Sequence, residues 1–125
     1  MPIDATQPYD DQNIFAKILR GEIPSKKVYE DEFALAFHDI NPQAPLHILV
    51  IPKGAYVSWD DFAAKASDAE IADFTRTIGK VAASVGADQQ GYRVLSNVGK
   101  RGGQEVPHLH VHIFGGAPLG PMLAK

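Results

Sequence analysis

Near the end of the chain, His108, Leu109, His110, Val111, His112 and Ile113 alternate imidazole with aliphatic side chain, using three of the five histidines. A period of two is a strand pattern, because residues i, i+2 and i+4 share one face of a sheet. The run predicts a β-strand with one face made of imidazoles, and Leu109, Val111 and Ile113 turned into a core. Each large apolar side chain given up on the histidine face forgoes burial worth about 1.5 to 3 kcal/mol. A chain that accepts that loss three times in succession has a chemical use for the row.

The rest of the composition narrows that use. A length of 125 residues suits one compact domain. Twelve basic against 15 acidic residues give a net charge of -3, with no basic run longer than Lys26-Lys27 or Lys100-Arg101. Bulk electrostatics therefore argue against a nucleic-acid partner. Cysteine is absent, which removes disulfides, thiolate zinc sites and cysteine nucleophiles. Met1-Pro2-Ile3-Asp4 has no basic or apolar leader pattern and Ile48–Ile51 is too short to span a bilayer, so a cytoplasmic protein without a membrane partner is expected.

Residues 1–11, rich in Pro, Asp, Thr and Gln, read as a flexible arm, and residues 12–125 as the domain proper. Apolar residues at 14, 15, 18 and 19 predict a helix over 12–20, capped by Asp11 and stopped by Gly21. Strands follow near 27–30 and 34–39, joined across Asp31-Glu32, and the apolar run 46–51 belongs mid-sheet. Ser67-Asp68-Ala69-Glu70 is a capping-box pattern that opens a second, longer helix with Ile71, Phe74, Ile78, Val81, Ala82 and Val85 as its stripe and Gly86 as its stop. A fourth strand over 91–97, a glycine-containing loop over 98–104 and the histidine strand complete the order, before an extended tail over 115–125. This predicts an α+β domain, two helices on a five-stranded, largely antiparallel sheet.

Three uses fit the histidine row. Alternate strand residues are separated by about 6.8 Å, so one zinc ion held by all three would require a severely bent strand, with His47 or a carboxylate completing the site. A structural row, each ring satisfied by backbone or water, is a second use. The third is nucleophilic catalysis, in which the central His110 attacks an electrophile such as phosphorus while the other ring nitrogen gives its proton to a fixed acceptor. The preceding loop, Asn97 to Glu105, suits that third use, with glycines that let backbone N–H groups approach an anion and amide side chains as donors.

The row closely resembles the His-φ-His-φ-His-φ-φ signature of the histidine triad (HIT) proteins, φ being apolar. The likeness extends through residues 14–18, 22–24, 36–45, 47–52 and 102–106, all similar to the Hint branch, and the tail over 118–124 is similar to bacterial Hint proteins. The resemblance implies a HIT-like fold, a homodimer and a purine nucleoside phosphoramidase. Such an enzyme cleaves the P–N bond of adenosine 5′-phosphoramidate and of lysyl or aminoacyl-AMP conjugates without a cofactor or metal. On that likeness His110 is the nucleophile, His112 contacts the phosphate oxygens, the carbonyl of His108 holds the His110 N–H, and His47 is the additional histidine. Asp39 meets the ribose hydroxyls; Ile14, Phe15, Ile18, Phe37, His38 and Ile40 surround the base; Asn97, Gly103, Gln104 and Glu105 form the phosphate-side loop. Glu105 stands where animal members commonly have serine, and Pro107 where an aromatic is frequent. The alternatives are a dinucleoside polyphosphate hydrolase using the same His110, and a non-catalytic AMP-binding or interaction protein.

Overall fold

Strand β3 (Leu46–Pro52) occupies the middle of the sheet, as its nearly unbroken apolar sequence requires. The computed structural model describes residues 1–124, and its strands β1 (Lys27–Glu30), β2 (Ala34–His38), β3, β4 (Arg93–Leu95) and β5 (Val111–Gly115) pair antiparallel in the order β1-β2-β3-β5-β4. The β1–β2 turn is held by Asp31, whose Oδ1 accepts the N–H groups of Phe33 and Ala34 at 2.8 and 2.9 Å.

Alternation along these strands divides the core in two. Ala34, Ala36, Ile48, Val50, Val111 and Ile113 pack, with Leu109, against Phe62 of helix α2 (Trp59–Lys65) and Phe74 and Val81 of helix α3 (Asp68–Ser84). The opposite face carries Leu35, Phe37, Leu49 and Ile51 and is covered by Phe15 of helix α1 (Ile14–Leu19). Helix α3 begins at the anticipated capping box, Ser67 with Glu70, and Gly86 beyond its end takes the left-handed conformation, φ 77°. No helix among the described residues is long and apolar enough to cross a membrane.

Several expectations are revised. Four helices form rather than two: α2 and the single turn α4 (Gly99–Gly102) lie in segments read as connections. Asn13, not Asp11, caps α1, its Oδ1 accepting the Ala16 N–H at 2.9 Å. Strand β4 spans three residues rather than seven. The ladder of β5 starts at Val111, so His108 and His110 precede it. The cause is local: the Leu109 N–H donates to the Tyr56 carbonyl at 2.8 Å instead of to a neighbouring strand.

Candidate active site

The site sits on the α1 face of the sheet, where the register brings histidines from two strands together. His47 of β3 pairs with Phe114, and His112 of β5 pairs with Leu49, so the two imidazoles are diagonal neighbours. Their rings approach to 2.9 Å, His47 Nε2 to His112 Nδ1. The His110 ring is next in the row, its centroid 5.1 Å from that of His112, and the Phe15 ring stands edge-on to it at 4.9 Å.

Each imidazole has partners that assign its protons. The Gln43 N–H donates to His47 Nδ1 at 3.1 Å, so the neutral ring carries its hydrogen on Nε2 and donates it to His112 Nδ1. His112 must then carry its own hydrogen on Nε2. Nδ1 of His110 lies 2.7 Å from the His108 carbonyl, which can only accept; His110 is therefore protonated at Nδ1 and bears its lone pair on Nε2. His108 is closed off, with Nε2 donating to the Pro52 carbonyl at 2.9 Å and Nδ1 accepting from the Tyr9 hydroxyl at 2.6 Å. No buried side-chain nitrogen or oxygen among the described residues lacks a partner, so the two uncommitted atoms, Nε2 of His110 and Nε2 of His112, are open to solvent.

Burial keeps this cluster uncharged. Desolvation pushes the imidazolium pKa of His108 and His112 down to about 4, in His112 with repulsion from His110 and His47 added, and it also lowers those of His110 and His47. Asp39 opposes the shift in His47, His110 and His112. Near neutrality the face presents one accessible lone pair beside one accessible N–H. That pair can attack an electrophile while hydrogen-bonding an oxygen attached to it.

Asp39 follows β2; its N–H donates to the His47 carbonyl at 3.0 Å and its Oδ2 lies 3.5 Å from His47 Nε2. Asp39, His47 and His112 thus place three ligand-type atoms within 4.8 Å of one another. A divalent metal at His47 Nε2 would drive the hydrogen onto Nδ1, facing the Gln43 N–H donor. The hydrogen-bond pattern therefore suits a proton network better than a metal centre.

The remaining expected residues are distributed unequally. Phe15 is buried against the His110 ring and Phe37 is buried against Phe15, while Ile14 and Ile40 expose 41% and 90% of their surface and leave apolar walls uncovered near Asp39 and α1. Ile18 packs behind Phe15. His38 is exposed and takes no part in these contacts. In the loop, Asn97 and Gly103 are half-buried and Glu105 is exposed against the N-terminal amine at 3.3 Å. Gln104 has a different position from the one anticipated. Its side chain is buried, accepting from the Gly99 N–H and donating to the Val57 and Val106 carbonyls, so it braces the loop from inside. Sequence reasoning missed Tyr9, Pro52 and Ser96, whose hydroxyl holds the His110 carbonyl at 2.9 Å. A tyrosine in a polar arm, a strand-ending proline and a lone serine carry no local signal for such roles.

The HIT domain model matches residues 20–119. A 13.2 kDa HIT-like protein of Azospirillum brasilense is 66% identical over 117 residues, 94% of this chain and 96% of that one. The purine nucleoside phosphoramidase of Escherichia coli K12 is 46% identical over 114 residues, 91% of this chain and 95% of that one. A solved HIT family hydrolase from Clostridium thermocellum superposes with a TM-score of 0.83 at 39% identity, covering 92% of this chain and 99% of that one. The chain accordingly belongs to the HIT family, as one of its hydrolases.

Proposed function

We propose that this hydrolase cleaves the P–N bond of purine nucleoside 5′-phosphoramidates, including adenosine phosphoramidate and lysyl or aminoacyl conjugates of AMP, through a nucleotidyl-His110 intermediate. The observation that carries the reading is the proton assignment: His110 Nδ1–H is spent on the His108 carbonyl at 2.7 Å, which leaves Nε2 as an accessible nucleophile. His110 Nε2 forms a bond to phosphorus as the P–N bond breaks, and the departing nitrogen keeps the bonding pair, takes a proton from solvent and leaves as the amine. The His112 Nε2–H donates to a non-bridging oxygen whose charge grows in the transition state. Water then attacks phosphorus and gives up a proton to solvent, the bond to Nε2 breaks with its pair returning to His110, and nucleoside monophosphate leaves. Asp39 suits the two ribose hydroxyls, and exposed Ile14 and Ile40 supply walls for a purine ring. The likeness to the phosphoramidase of Escherichia coli supports the choice of a P–N bond.

The test uses chelator-treated protein and a fluorogenic adenosine phosphoramidate. Wild type should turn over, and His110→Ala should lose a factor of about 10³ or more in kcat. Retained turnover in that variant, or none in wild type, contradicts the reading. Rapid quenching followed by intact-mass measurement detects the nucleotidyl adduct.

A homodimer fits the same reading. Strand β4 is a sheet edge, and beside it Trp59, Val94 and Val98 line an apolar groove with Ile78 and Leu95, Trp59 and Val94 exposing 44% and 45% of their surface. An open edge flanked by apolar side chains favours pairing with a second copy.

A further inference from the structure

Residues 1–11 belong to no strand or helix, yet hydrogen bonds specify their path. The Ile3 N–H donates to the Gln104 carbonyl at 2.7 Å, which fastens the arm to the phosphate-side loop. Asp4 closes a turn by accepting from the Thr6 N–H at 2.9 Å and the Thr6 hydroxyl at 2.6 Å. At the other end the Asp10 carbonyl accepts from the side chain of Asn13, the cap of α1, at 2.7 Å. Between these anchors Tyr9 meets His108, hydroxyl to Nδ1 at 2.6 Å and ring to ring edge-on at 5.6 Å.

The direction of that hydrogen bond is determined. His108 Nε2–H is spent on the Pro52 carbonyl, so Nδ1 can only accept and the phenol must donate. His108 is fully buried and has no proton or lone pair left for a substrate. What it contributes is its main-chain oxygen, the acceptor that orients His110. That oxygen lies ahead of the β5 ladder, and the main-chain bond that anchors its peptide is the Leu109 N–H to the Tyr56 carbonyl at 2.8 Å. The His108 side chain, clamped at both nitrogens, supplies the second anchor, which sets the rotation of the carbonyl about that bond.

We infer that Tyr9 is a positioning residue for His110: its hydroxyl, delivered by the N-terminal arm, clamps the His108 imidazole and so holds the carbonyl that orients the nucleophile. The inference rests on the reading of His110 given above. Removing the hydroxyl leaves a buried acceptor without a partner, and the peptide of His108 shifts as its ring seeks one. Displacement of a nucleophile by a fraction of an ångström reduces the chemical step, whereas substrate contacts made by Asp39 and the apolar walls persist.

The experiment compares Tyr9→Phe with Tyr29→Phe, a matched control that loses a hydroxyl contact to Asp31 in the β1–β2 hairpin. With the fluorogenic adenosine phosphoramidate, kcat of Tyr9→Phe should fall by about tenfold while KM stays within about twofold. Tyr29→Phe should keep the wild-type kcat. Proton NMR of the unliganded protein supplies a readout that needs no turnover. The hydrogen-bonded Nδ1–H of His110 should give a downfield resonance in wild type and in Tyr9→Ala or Tyr9→Phe should move upfield or broaden. Equal kcat losses in both tyrosine variants, or a wild-type kcat and unmoved resonance in Tyr9→Phe, overturn the inference. Should His110→Ala retain turnover, the nucleophile reading fails, and the resonance still decides whether Tyr9 orders His110. If the Tyr9 variants do not fold, ¹⁵N shifts of wild-type His108 decide: an unprotonated, hydrogen-bonded Nδ1 supports the clamp and a protonated Nδ1 overturns it.

Discussion

At the scale of single residues, four adjacent imidazoles are distinguished by what each is bonded to. His108 has both nitrogens engaged inside the protein, His47 has both engaged within the network, and His110 and His112 each keep one nitrogen for solvent. Their burial has a consequence for stability. His108 has an imidazolium pKa near 4 when folded, against about 6.5 in an unfolded chain, and His112 behaves alike. Between those values the unfolded state binds protons that the folded state refuses, so stability is complete above about pH 6.5 and declines as pH falls toward 4. For His108 the loss by pH 5 is about 2 kcal/mol. Urea unfolding at pH 7 and pH 5 should show a lower midpoint at pH 5; equal midpoints would mean that these rings are charged when folded. A second expectation concerns His47→Phe. It removes the donor to His112 Nδ1, frees His112 to take the other tautomer, and should lower kcat by about tenfold in the fluorogenic assay.

Among the elements, those with dense local signals were legible and those set by distant partners were not. The capping box of α3, its stripe from Ile71 to Ala82, the apolar run of β3 and the β1–β2 hairpin are present as the pattern indicates, whereas Val85, expected to end the stripe, is the exposed C-cap of α3. Helix α2 had a readable start, Ser58 followed by Asp60 and Asp61, and an Asp61–Lys65 pair at 2.9 Å, but only seven residues in which to show periodicity. The turn α4 reads Gly-Lys-Arg-Gly, in which two glycines offset two helix-forming residues, and it is closed by Gln104, whose main-chain N–H and side chain take the Gly99 carbonyl and N–H. Gly116 shows an element boundary that tolerates one residue type. Its φ is +86°, and a Cβ there would lie 2.9 Å from Pro45 Cβ and 3.2 Å from the Leu46 nitrogen. Gly116→Ala should cost about 1 to 3 kcal/mol by loosening the junction of β3 and β5, seen as a lowered Tm. Asn13→Ala should cost about 1 kcal/mol by removing the cap of α1, the helix that carries Phe15 against His110.

For the whole molecule, the sheet order puts the histidine-bearing strands β3 and β5 side by side at the centre and leaves β4 at an edge. The central pair gives the site a rigid floor, with α2 and α3 on the far face and α1 on the near one. The exposed edge bears on assembly. In the proposed homodimer, Val94→Asp places a charge in the apolar groove beside Trp59 and should shift the sedimenting species from a dimer to a chain of 13.6 kDa. A wild-type mass of 13.6 kDa at micromolar concentration would contradict the dimer itself.

The amino-acid sequence by itself determined the period-two row of histidines, the faces of the sheet, the long helix with its cap, and the family likeness those segments carry. Each of these depends on contacts between near neighbours or on the alternation of a strand. Only the tertiary structure decided which imidazole keeps a lone pair and which keeps a hydrogen. Those assignments come from the Gln43 amide, the carbonyls of Pro52 and His108, and the Tyr9 hydroxyl. Two of these partners, Pro52 and Tyr9, stand 56 and 99 residues from the ring they engage, so no spacing rule records them. A histidine's chemistry follows from the hydrogen bond at its other nitrogen, and folding brings that bond's partner into place.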